Sequence, residues 1–115
     1  YFPGARVLIL GLTFKENCPD LRNTRGIDLI RALEGYKLEV DVHDPWADPE
    51  EAKQEYDIDL VEEPEDAAYA GITLAVAHNE FRDLGNSDIH AWKTENAVIY
   101  DLKHILPLYQ VDARL

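Results

Sequence analysis

The sequence contains no methionine and a single cysteine, Cys18, among its 115 residues. One cysteine excludes an internal disulfide and fits a reducing compartment. An intact reading frame starts with methionine, so its absence predicts one piece of a longer protein. No apolar run approaches the roughly 18 residues that a spanning helix needs. The first residues do not read as a secretory leader, and the cytoplasm is the expected location. Basic residues are scarce: 11 Lys and Arg against 23 Asp and Glu leave a net charge of −12. A sequence-independent nucleic-acid binder needs a basic stripe, which this chain lacks. Glycine is scarce too, with none between Gly11 and Gly26. The first loop therefore cannot offer the G-x-G-x-x-G that lets backbone approach a dinucleotide pyrophosphate.

What is present is apolar and alternating. A hydrophobic fraction of 46% argues for a folded chain, and the length suits one domain. Residues 7–12, VLILGL, form a short continuous apolar run, as in a strand covered on both faces. Ile27, Leu29, Ile30 and Leu33 recur at helical spacing, with Gly35 as the expected stop. Residues 38–44 alternate as a strand that ends at Pro45. Asp48 before Pro49 predicts an N-cap and a helix to about Tyr56. A short edge strand is expected over 58–61 and one or two helical turns over 65–70. A buried strand follows over 71–78, a short helix from Ser87 or Asp88 to Trp92, and a last strand over 97–102. Strands alternating with helices imply parallel pairing through right-handed crossovers. The predicted fold is a doubly wound, Rossmann-like three-layer α/β sandwich with a mostly parallel sheet of five or six strands.

In such sheets ligands bind beyond the carboxyl ends of the strands. The loop after the first strand, residues 11–26, carries Lys15, Arg22 and Arg25 against Glu16 and Asp20, a net positive segment in an acidic chain. Lysine can hold phosphate as a point charge and arginine as a two-pronged clamp. Lys103 follows the last strand and would join this rim if the strands are neighbours. Residue types alone leave two readings open: a phosphate contact, or a solvated loop whose cations pair with nearby acids. Phe14 could stack on a ring or cover core. Cys18 has cations nearby but no identifiable base, and reads as an inert loop thiol. His43, His78 and His104 fall at strand ends without ligand-pair spacing, and read as polar residues facing solvent rather than as a metal site. Residues 41–66 hold twelve acids and one base, Lys53, and read as a solvated outer face. Trp46 and Trp92 are expected to cap core or fill an interface.

At residues 11–25 the sequence, GLTFKENCPDLRNTR, closely resembles the signature of the C-terminal domain of the UDP-glucose and GDP-mannose dehydrogenase family. Asp44-Pro45, LAVAHNEF over 74–81, YDLK over 100–103, Ile105-Leu106-Pro107 and the final VDARL match in order, so the resemblance spans essentially the whole chain. The wording of residues 16–20 is most similar to the branch acting on UDP-N-acetylhexosamines, which makes the uronic acids of bacterial surface polysaccharide. The resemblance implies a C-terminal nucleotide-sugar-binding domain over 1–115. The NAD-binding domain, the central dimerisation region and the catalytic cysteine would lie outside this chain. It implies two successive NAD-dependent oxidations at C6 through a thiol-linked intermediate, no catalytic residue here, and a full-length homodimer or higher oligomer. It places Phe14, Lys15 and Lys103 at the UDP-sugar and Arg22 toward the NAD pyrophosphate. Lys103 stands where relatives often carry arginine, and so lacks that residue's planar fork. Two other classes share parts of the pattern. One is a phospho-receiver module, which needs an acidic pair after the first strand and an aspartate after the third. The other is a protein-interaction domain that uses the acidic face.

Overall fold

The computed structural model describes residues 4–13, 17, 21, 26–76, 78–82, 91–101 and 113–114. In chain order these form β1 (Arg6–Leu10), α1 (Gly26–Gly35), β2 (Glu39–His43), α2 (Pro49–Tyr56), β3 (Tyr69–Leu74), α3 (Asn79–Arg82), β4 (Lys93–Asp101) and β5 (Ala113–Arg114). The strands make one five-stranded sheet in the order β2-β1-β3-β4-β5, and every pairing is parallel.

β1 sits inside the sheet, which explains its unbroken apolar run. Val7, Leu8, Ile9 and Leu10 are all 3% exposed or less. Because side chains alternate along a strand, this one run supplies both cores. Leu8 and Leu10 pack with Tyr69, Ile72, Leu74, Ile99 and Phe81 of α3. Ile9 packs with Val42, Ile30 of α1 and Ala52 of α2. Helices therefore cover both faces of the sheet, and the three-layer expectation holds.

Asp48 caps α2 as expected, its carboxylate accepting from the Glu50 N–H at 3.0 Å with Pro49 next in line. α1 stops at Gly35 as expected, but the left-handed residue is Lys37, at φ 63°. The Lys37 N–H reaches Glu34 O at 2.9 Å and the Leu38 N–H reaches Leu33 O at 3.4 Å, the bond pair of a Schellman cap. A left-handed position disfavours any residue with a Cβ. Lys37→Gly is therefore expected to stabilise the domain by about 0.5 kcal/mol, the relief being partly offset by the unfolded chain's added freedom. Chemical denaturation reads this directly.

Other expectations need correction. Residues 58–61 form no strand; Leu60 makes a single bridge to Val42. Residues 65–70 are not helical. The Ala67 and Ala68 N–H groups bond to Ala91 O and Trp92 O, at 2.6 and 3.1 Å, instead of to carbonyls one turn back. The last strand of the sheet is β5, paired with β4 through Tyr100 and Asp101. β4 itself begins early, at Lys93, with a register shift opposite Tyr69 and Gly71. The expected helix over 87–92 falls mostly outside the described residues.

The acidic stretch is only partly a solvated face. Glu50, Lys53, Gln54 and Glu55 of α2 are exposed and Ala52 is buried. Asp41, by contrast, accepts from Arg6 at 2.8 Å and from the Tyr69 hydroxyl at 2.7 Å. Burial, reinforced by Asp41, pushes the Tyr69 phenol up to about 12. Arg6 also pairs with Glu65 and lies over the Tyr69 ring, 5.2 Å from its centroid. Among the described residues no helix is long and apolar enough to cross a membrane.

Candidate functional site

Chain order and sheet order disagree at one place. β2 lies on one side of β1, and the next strand, β3, lies on the other. Connections leave the sheet in opposite directions there, opening a crevice beyond the carboxyl ends of β1 and β3. The residues at those ends are Gly11, Leu12 and Thr13 after β1 and Ala75, Val76 and His78 after β3.

Gly11 brings the two strand ends together. Its φ is +109°, and a Cβ added there would lie 2.6 Å from Val76 Cβ and 2.8 Å from Val76 N. Its N–H also bonds to His43 O at 2.9 Å. This glycine serves contact between neighbouring strand ends rather than approach to a pyrophosphate.

Asp44 follows β2 and is only 5% exposed. Its Oδ2 accepts from the backbone N–H of Leu12 at 2.6 Å and of Thr13 at 3.0 Å. Its Oδ1 accepts from the Trp46 N–H at 2.8 Å and lies 3.0 Å from His78 Nε2. One carboxylate thus ties the ends of β1, β2 and β3. Burial pushes the Asp44 carboxyl up, but the bonds from His78, Leu12, Thr13 and Trp46 together outweigh it and hold the group below the usual carboxylate range. In a dinucleotide site the acid ending the second strand holds the ribose. Here both oxygens of that acid are already bonded within the protein, and Gly11 is closed by Val76. The described residues do not fit a dinucleotide grip of their own.

His78 is fully buried, not solvent-facing as its position in the sequence suggests. The Asn17 N–H donates to its Nδ1 at 2.8 Å. Nδ1 is therefore the acceptor, and the ring proton sits on Nε2, facing Asp44. The Thr13 hydroxyl lies 3.1 Å from the same Nε2. Trp46 stacks on the imidazole at 5.9 Å and 27°, and its indole N–H donates to Glu80 at 2.9 Å. This agrees with the expected capping role for Trp46; Trp92 likewise packs against the core on the α3 side. Asn17 takes φ 53°, which asparagine tolerates better than most residues. Its side chain and Asn79 exchange two hydrogen bonds, at 2.8 and 3.2 Å.

The His43 ring meets this network only through Phe81, at 6.1 Å between centroids. It donates from Nδ1 to Val61 O at 3.0 Å. Together with Pro49, Leu60 and Glu62 it borders an open cavity of about 640 Å³ beside β2. Phe14, Lys15, Arg22 and Lys103, together with Cys18, Arg25 and His104, lie outside the described residues. Their described neighbours are informative all the same. Thr13 and Asn17 flank Phe14 and Lys15 in the chain, and both are held at the crevice. Sequence reading singled out the loop but missed its anchors, His78 and Asp44.

Sheet order defines the class: a parallel α/β domain whose strand order switches, and leaves a crevice, between β1 and β3. A phospho-receiver shares this strand order, but Gly11, Leu12 and Thr13 follow β1 where it needs acids, and no aspartate stands in residues 75–78 after β3. Residues 8–107 match the model of the UDP-glucose/GDP-mannose dehydrogenase family, UDP binding domain, and the chain belongs to that family. It is 52% identical over 112 residues to UDP-N-acetyl-D-glucosamine 6-dehydrogenase of Pseudomonas aeruginosa, covering 97% of this chain and 26% of that protein. It is 49% identical, with the same coverage, to the Salmonella typhi enzyme of that name. Among solved structures, a UDP-glucose dehydrogenase from Pyrobaculum islandicum superposes with a TM-score of 0.73 at 26% identity, over 98% of this chain and 25% of that one. The UDP-N-acetyl-mannosamine dehydrogenase Cap5O of Staphylococcus aureus gives 0.69 at 26% identity, over 96% and 25%. The chain thus spans about a quarter of the length of the relatives it matches.

Proposed function

We propose that this chain is the UDP-sugar-binding C-terminal domain of an NAD-dependent UDP-N-acetylhexosamine 6-dehydrogenase. The whole enzyme would oxidise the C6 hydroxyl to a carboxylate, in a step toward bacterial surface polysaccharide. The observation that carries this reading is the 52% identity, across 97% of the chain, to an enzyme named for that oxidation. Taking a primary alcohol to a carboxylate removes four electrons, consumes one water and reduces two NAD. The catalytic cysteine, most of the NAD site and the oligomer contacts belong to parts of the enzyme outside these residues. This division accounts for a Rossmann-like domain whose Gly11 and Asp44 are unsuited to a dinucleotide.

In this reading the domain's own part is to bind and orient. Lys15 meets the diphosphate of the UDP-sugar, Phe14 borders the same ligand, Lys103 adds a cation to the rim, and Arg22 reaches toward the NAD pyrophosphate. The test is NADH formation from UDP-N-acetylglucosamine and NAD. The full-length protein is expected to produce NADH and the 115-residue chain alone to produce none. In the full-length protein Lys15→Ala is expected to raise KM for the UDP-sugar roughly 10- to 100-fold, the scale of one lost charged hydrogen bond. Unchanged KM and kcat would remove Lys15 from the site. NADH formation by the isolated chain would overturn the division of labour.

A further inference from the structure

Phe14 and Lys15 stand between two residues that converge on one buried side chain. Thr13 places its hydroxyl 3.1 Å from His78 Nε2, and Asn17 donates its N–H to His78 Nδ1 at 2.8 Å. The same imidazole faces Asp44, which accepts from the Leu12 and Thr13 N–H groups. Asn79, the next residue in the chain, holds the Asn17 side chain through two further bonds. The Trp46 and Phe81 rings both pack against the imidazole, with centroids 5.9 and 5.4 Å away.

We propose that His78 is a positioning residue for nucleotide binding: it fixes the separation of Thr13 and Asn17, and so presents the intervening Phe14 and Lys15 to a nucleoside diphosphate. The inference rests on the reading of Phe14 and Lys15 given above. Two features favour positioning over simple core filling. A leucine would fill the volume of a buried ring, yet this position carries two polar atoms: Nδ1 accepts from the Asn17 N–H, and Nε2 faces the Asp44 carboxylate that holds the Thr13 N–H. The bond from Asn17 is also to its backbone, so it constrains where the chain runs whatever side chain residue 17 carries. Preorganising a binding segment raises affinity because the ordering cost is met before the ligand arrives.

The experiment measures UDP affinity by calorimetry in the full-length protein, with hydrogen exchange followed at the peptide containing Asn17. His78→Leu removes both polar contacts and is expected to raise the UDP Kd about tenfold and to speed exchange at Asn17. His78→Gln offers a carbonyl to Asn17 and an amide to Asp44, and is expected to restore Kd to within about twofold of the original. Because His78 acts through the segment bearing Lys15, Lys15→Ala is expected to cost less affinity in the His78→Leu background than alone. A mere loss of stability would leave the two effects independent. Should His78→Leu fail to fold, His78→Asn replaces it, being too short to keep both contacts. Unaltered affinity in the leucine or asparagine variant, or fully independent effects with Lys15→Ala, would overturn the inference while leaving the UDP reading intact. Failure of the unmutated protein to bind UDP would overturn both.

Discussion

Gly11→Ala is expected to lower the stability of the domain by about 3–5 kcal/mol, a large part of what holds a domain of this size together. Two penalties combine. At φ +109° an L residue is strained before it meets anything else. The added methyl would then sit 2.6 Å from Val76 Cβ and 2.8 Å from Val76 N. The second contact is with backbone, so trimming the Val76 side chain cannot relieve it. The two strand ends would have to separate, and the Ala75 N–H to Leu10 O bond, 2.9 Å long, lies in the path of that movement. Denaturation midpoints of the two proteins measure the loss, and equal midpoints would refute the close approach assigned to this glycine.

Asp44→Asn is expected to cost about 2–4 kcal/mol at neutral pH, and the cost is expected to shrink in acid. The carboxylate accepts from three backbone N–H groups and faces the ring proton of His78. An asparagine keeps one oxygen and sets an NH₂ group against donors that cannot turn away. His78 cannot adapt by moving its proton, since the Asn17 N–H holds Nδ1. The pH dependence follows from the depressed carboxyl of Asp44. Its folded value lies below the unfolded value of about 3.9. The stabilisation is therefore complete above that unfolded value and disappears as pH falls through the folded one. Comparing the two proteins at pH 7 and pH 3 isolates this group from the other titrating acids. A gap that stays constant with pH would contradict the role given to its charge.

Much of the fold was legible because its signals are local. β1 shows as an apolar run since both faces of a central parallel strand are covered, and α2 begins where Asp48 and Pro49 announce it. The parts that could not be read depend on distant partners. β5 has two paired residues, too few to leave a period in the sequence. The start of β4, Lys-Thr-Glu-Asn, is polar, and only its Lys93 is paired with β3, opposite Tyr69. His78 looked like a surface residue at a strand end; its burial depends on Asp44, 34 positions earlier, and on Thr13, 65 positions earlier. Had the strand order been known, an acid ending β2 and a histidine ending β3 on either side of β1 would have been the clue. Gly11 was noticed only for the fingerprint it fails to complete, while its actual constraint is Val76. The roles proposed for Phe14, Lys15, Arg22 and Lys103 come from motif resemblance and not from periodicity, since a cationic loop in an acidic chain reads equally well as solvated.

The crevice between β1 and β3 is proposed to hold the UDP part of a nucleotide sugar. A crystal structure of the full-length protein with UDP tests it most directly. The diphosphate is expected beyond Thr13, within hydrogen-bond reach of Lys15, with His78 still bonded to Asn17. Nucleotide seated instead in the cavity beside His43 and Glu62, or no nucleotide on this domain at saturating UDP, would contradict it.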